Sequence, residues 1–226
     1  MKHPQSQQSS STLLPGYVLP MAAFMVLTAL EGFAPSAYYV WLYALKCVVV
    51  TATLFWFRRT TWQDIQPSVR VLIPAVVVGL AVFGQWILLD KLIPYPHLGS
   101  RIGLNPFSTI ESPVVLFMFL TVRFYGLAVM VPVMEELFWR SFLLRYMTDP
   151  DFTKLPLGTF SWQAFAIVAG MFGLLHSEWL VAIICACAYG LLLRQTKSIF
   201  ACIIAHGVTN LALGIYVLVA RDWIYW

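Results

Sequence analysis

Along the chain, long apolar runs alternate with short breaks that hold proline, glycine or charge. The runs fall at Tyr17–Phe33, Tyr38–Phe57, Val71–Leu89, Pro113–Tyr146, Phe160–Leu175, Leu180–Leu193 and Ile199–Ala220. Most reach or approach the roughly 20 residues that a helix needs to cross about 30 Å of hydrocarbon. The breaks are Pro35, the Arg58–Arg70 stretch, PYPHLGSRIGLNP, Asp149–Pro156 and Arg194–Lys197. Short strands of alternating polarity are absent, so a closed barrel is not expected. A backbone in lipid must satisfy its own hydrogen bonds, and helices do so. The pattern predicts an all-α, polytopic transmembrane bundle of about seven to eight membrane helices around a polar intramembrane cavity. Its expected parts are a polar, disordered tail (1–16), N-terminal transmembrane helices (17–110) and a helical core (111–226). No internal repeat is evident.

The fourth run differs from the others. At 34 residues it would extend about 51 Å as a helix, more than one bilayer core and less than two. Pro132 lies inside it, which predicts a break or bend just before Glu135. Backbone groups freed there are tolerated at membrane depth only where they line a cavity.

Composition settles the environment. Of the residues, 60% are hydrophobic and 11% charged, against about 25% charged in a soluble domain. The expectation is an integral, multi-pass protein of a bacterial cytoplasmic membrane, its first helix retained although APSA (34–37) faintly resembles a cleavage site. The net charge of +4 collects at the ends of runs, as topology requires, and forms no basic stripe for nucleic acid. Arg58, Arg59, Arg70, Lys154, Arg194 and Lys197 outnumber Lys91, Arg101 and Arg221, which places the N-terminus inside. Simple threading then sets Glu135 toward the cytoplasmic end of its run and His176 toward the outer end of its own. The two meet only if a helix is tilted, partial or broken. Cys47, Cys185, Cys187 and Cys202 lie in apolar runs without CxxC spacing and are read as small hydrophobes.

Polar residues that topology does not explain are Lys46, Arg123, Glu135, Glu136, Arg140, His176, His206 and Asn210. Glu136 and Arg140 stand four apart on one helical face, so each offsets part of the other's burial. Glu135 points about 100° away. One acid is neutralised locally while its neighbour is aimed elsewhere. The same spacing sets Phe172 one turn before His176 and stacks His206 with Asn210. Three helices can thus present a carboxylate, two imidazoles and a carboxamide to one cavity. A carboxylate withdrawn from bulk water can act as a general base. Imidazole and carboxamide N–H groups can bind a developing oxyanion. Those are the parts needed to hydrolyse an amide with water. Lys46 and Arg123 are expected to snorkel or to pair with an acid, and His97 and Glu178 to be solvated.

EELFWR, FGLLH and HGVTN resemble the EExxxR, FxxxH and HxxxN motifs of the CAAX-protease and bacteriocin-processing membrane proteins, which include the type II CAAX prenyl endopeptidases. The resemblance covers roughly residues 110–215. It implies that Glu135 and His176 activate the attacking water and that His206 and Asn210 steady the oxyanion. Glu136, Arg140 and Phe172 shape and support the site. The implied protein is a membrane endopeptidase of glutamate type, without metal or other cofactor. Its partners would be membrane lipids and a peptide or protein substrate, lipidated and membrane-anchored forms included.

Other readings stay open at this point. Glu135, His176 and His206 could form a His₂Glu zinc site, although no HExxH helix is present. Ser141 and Ser177 lack the partnered base of a serine nucleophile. A non-catalytic peptide-binding or scaffold protein could carry the same polar cluster. A transporter is disfavoured by the missing repeat.

Overall fold

The computed structural model describes residues 10–99 and 103–226. Arg101 and residues 1–9 of the polar tail lie outside the described residues. The apolar runs form α1 (Ser10–Phe33), α2 (Tyr39–Trp56), α3 (Leu72–Leu92), α4 (Pro113–Tyr146), α5 (Trp162–Leu174), α6 (Trp179–Thr196) and α7 (Ile199–Ala220). No strand occurs among the described residues. The first helix already begins at Ser10, within the polar stretch ahead of Tyr17. Six of these helices are long and apolar enough to cross a membrane, whereas α5 is apolar but only 13 residues long.

Local chemistry fixes where several helices start and stop. Ser112, Ser161 and Ser198 precede α4, α5 and α7, and each hydroxyl accepts the N–H three residues on, from Val115, Ala164 and Ala201. Pro113 follows its cap at the first helical position, where its missing N–H costs nothing. Lys197 ends α6 in the left-handed conformation, and the adjacent Ser198 restarts the chain as α7.

Polarity is distributed inside out. Phe117, Ile73 and Val219 are 73–80% exposed on helix faces, while Glu136 and Arg140 are buried. In water such a surface would aggregate; in a bilayer it is solvated by lipid tails. At the centre, α7 packs against α3, α4 and α6, and α5 and α6 form a hairpin. The backbones of α3 and α7 meet closely, because a Cβ at Gly79 would stand 2.4 Å from the Ala205 carbonyl oxygen. Thr209 Oγ1 of α7 donates to the Gly79 carbonyl at 2.7 Å.

Of the break or bend expected before Glu135, the break does not occur. Helix α4 runs without interruption and takes up Pro132 by widening into π-helical turns at Gly126–Met130 and Leu137–Leu143, on either side of the glutamates. A π turn changes the hydrogen-bond register locally and so accommodates a residue without an N–H; such turns are also places where helices bend.

The threading conflict is resolved by the length of α5. Glu135 lies about 17 Å along α4 from its Tyr146 end, and His176 about 21 Å along from the start of α5. The two chains rise from the same connection, residues 147–161, so a short α5 brings its end to the level of Glu135.

At that connection the α2–α3 loop is tied to the end of α4. Asp64 accepts from Tyr17 Oη (2.7 Å), Ser141 Oγ (2.5 Å) and Arg145 Nη2 (2.9 Å). Arg145 also donates to the Ser141 and Leu155 carbonyls. Removing one partner would strand the other charge. Asp64→Ala is expected to destabilise the protein by about 3 kcal/mol, and Asp64→Asn by clearly less, since the amide oxygen can still accept. Thermal unfolding of the purified full chain in detergent reads both.

Candidate active site

Helix α4 presents its two glutamates differently. Glu136 is fully buried and its Oε1 lies 3.3 Å from Arg140 Nη1, the i,i+4 pair expected from spacing. The same oxygen lies 2.8 Å from His206 Nδ1 on α7, a contact the motif spacing did not disclose. Glu135 faces a cavity of about 150 Å³. Its Oε2 is buried and has no hydrogen-bond partner.

That cavity collects Glu135, Phe172, His176, His206 and Asn210 from three separate helical segments. Glu136 and Arg140 lie behind it. Helix α5 ends at Leu174, so His176 sits just past a helix terminus, where the Phe172 carbonyl takes only a long 3.3 Å main-chain bond from Leu175 N–H. His176 Nδ1 lies 2.7 Å from the Phe172 carbonyl oxygen. A carbonyl can only accept, so Nδ1 carries the hydrogen and Nε2 of the neutral ring is left as the basic nitrogen. The Phe172 ring stacks on His176 with centroids 4.5 Å apart. The FxxxH spacing therefore acts twice, through the ring and through the carbonyl.

Arg140 links the two halves of the site. Its guanidinium carbon lies 4.6 Å from the centre of the Phe172 ring and 5.4 Å from that of Tyr189. Tyr189, fully buried on α6, stacks on His206 at 5.3 Å and donates to Thr209 Oγ1 at 2.7 Å. Asn210 lines the cavity and donates from Nδ2 to the Leu127 carbonyl of α4 at 2.8 Å.

Sequence reasoning missed several wall residues. Trp86 of α3 packs edge-on against His176 at 5.8 Å, and Val131, Cys185, Tyr189, Thr209 and Leu213 complete the lining. Thr209 had a usable signal, since it is three residues from His206 on the same helix. Trp86 had none, because no periodicity relates α3 to the motif helices. Arg123 does not enter the cavity; it lies against the rings of Tyr43 and Trp226. Lys46 pairs with Glu31, as an intramembrane lysine must find an acid. His97, expected to be solvated, keeps 27% of its side chain exposed and lies 2.8 Å from Asp90. Among the described residues, no three His, Cys, Asp or Glu side chains are grouped so as to hold a metal ion.

Fold and site together define an integral, multi-pass helical membrane protein with a buried carboxylate–imidazole–carboxamide cluster. Residues 113–212 match the family model described as Type II CAAX prenyl endopeptidase Rce1-like. The matched segment is less than half of the chain and is similar to the Rce1-like type II CAAX prenyl endopeptidases, a family whose members are generally proteases. It takes in every motif residue named above and leaves out Trp86 and Leu213. The curated proteins and the solved structures yield no match.

The two glutamates should separate in a stability measurement. Glu136→Ala leaves Arg140 buried without its acid and is expected to cost about 3–5 kcal/mol. Glu135→Leu removes an unpartnered buried carboxylate and should stabilise the protein by about 0.5–2 kcal/mol. Thermal unfolding of both variants in detergent checks the sign of each.

Proposed function

We propose that the protein is a membrane endopeptidase that hydrolyses a peptide bond with a water activated by Glu135. The observation that supports this most directly is one cavity lined by Glu135, His176, His206 and Asn210. In this reading a water lies between Glu135 and the Nε2 lone pair of His176, and one of these two bases takes its proton. The water oxygen attacks the scissile carbonyl carbon, and the carbonyl oxygen becomes an oxyanion. His206 donates to it from Nε2, which requires the imidazolium form while Nδ1 faces Glu136. Glu136, 2.8 Å from Nδ1, is the anion that holds that charge. Asn210 donates its second amide hydrogen. Collapse of the intermediate expels the amine, which takes its proton from Glu135 or His176. No metal takes part in these steps.

The substrate in this reading is a peptide segment that enters extended from the membrane, as part of a lipidated or otherwise anchored chain. The test compares new protein termini, by mass spectrometry, in membranes that hold equal amounts of wild type and Glu135→Gln. Termini that need the wild type are expected, and the variant should form them about 10²–10⁴-fold more slowly, the range for loss of a general base. Equal termini from both, with the variant still complementing a deletion strain, would replace catalysis with a binding or scaffold role.

A further inference from the structure

Helix α4 contains a main-chain deficit that the chemistry above does not use. Within its first π turn, the Val131 N–H bonds to the Gly126 carbonyl, five residues back. In an α-helix that N–H would have served Leu127. The next donor in the π register is residue 132, a proline, which has no N–H. Leu127 is therefore left with a carbonyl that no backbone group on its own helix can serve, at a depth where an unserved carbonyl is costly.

Helix α7 answers that deficit at two adjoining positions. Asn210 Nδ2 donates to the Leu127 oxygen at 2.8 Å. One turn earlier, Gly207 leaves room for the next carbonyl, because a Cβ there would stand 2.7 Å from the Ala128 oxygen. Ala128 is the residue whose ordinary α-helical donor would also be Pro132. Two consecutive carbonyls turn toward α7, one bonded and one given space. An extra residue in a π turn rotates everything beyond it by about 100° relative to a continuous α-helix. Glu135 lies directly beyond.

We infer that Asn210 has a positioning role besides the use of its second amide hydrogen: its carboxamide replaces the donor that Pro132 withholds from Leu127, holds the π turn open, and so fixes the rotation that turns Glu135 into the cavity. The catalytic consequence rests on the reading of Glu135 as the base. The structural coupling between Asn210 and Pro132 does not.

The test is a double-mutant cycle on the full chain in detergent, with Asn210→Leu and Pro132→Ala. Pro132→Ala returns a backbone N–H to the turn. Asn210→Leu alone is expected to lower the Tm by about 2–4 °C, and by less than half as much in the Pro132→Ala background. The rotation is read separately, by mass-spectrometric quantification of the Glu135 peptide modified by N,N′-dicyclohexylcarbodiimide. That yield is expected to change at least twofold in Asn210→Leu and to stay at the wild-type level in Asn210→Gln, which keeps a donor. Additive Tm shifts, or labelling indifferent to residue 210, would overturn the inference. Neither readout needs a substrate, so a failure here is distinct from a failure to find wild-type-dependent termini.

Discussion

The buried charge on Glu136 organises the rest of the site. A lone carboxylate at such a position would cost several kcal/mol, and here Arg140 and His206 stand against it from the same helix and from α7. The arginine is seated in turn on Phe172 and Tyr189. Those two rings are the ones stacked on His176 and His206. One ion pair thus indexes both imidazoles relative to α4. With that charge balanced among its neighbours, the adjacent Glu135 is free to stay without a partner.

Much of this was legible in the sequence, because helical periodicity is a local property. The EExxxR spacing announces an acid paired on its own face and a second acid pointing elsewhere, and the structure has that arrangement. Other features depend on relations between helices that no spacing encodes. The contact of Glu136 with His206 arises from how α7 lies across α4. Trp86 reaches the cavity from α3, which lies close to α7 at Gly79. Pro132 illustrates a different limit. Its presence marks a disturbed helix, but the form of the disturbance is a π turn that meets Asn210 and Gly207 of α7, a relation between helices that the spacing does not show.

The segment that carries the family motifs does not enclose the cavity alone. Trp86 comes from α3, ahead of the matched residues, and Leu213 directly follows them. The end of α4 is also tied to the N-terminal helices through Asp64, Tyr17 and Arg145. The first hundred residues are therefore part of the site's construction rather than added spans. A carboxylate, two oriented imidazoles and a carboxamide make up the polar face of the cavity, while the walls that bound it are drawn from both halves of the chain.

The shortness of α5 has a consequence for the surrounding lipid. Thirteen helical residues span about 20 Å, some 10 Å less than a typical hydrocarbon core. Its last residues, Leu174 and Leu175, are well exposed, so acyl chains meet apolar surface up to the level of His176 and lose it there. Such a mismatch is relieved by local thinning of the bilayer, at a fraction of a kcal/mol per Å. Where the bilayer thins in this way, headgroups and their water sit lower beside α5, next to the cavity whose proposed chemistry consumes water.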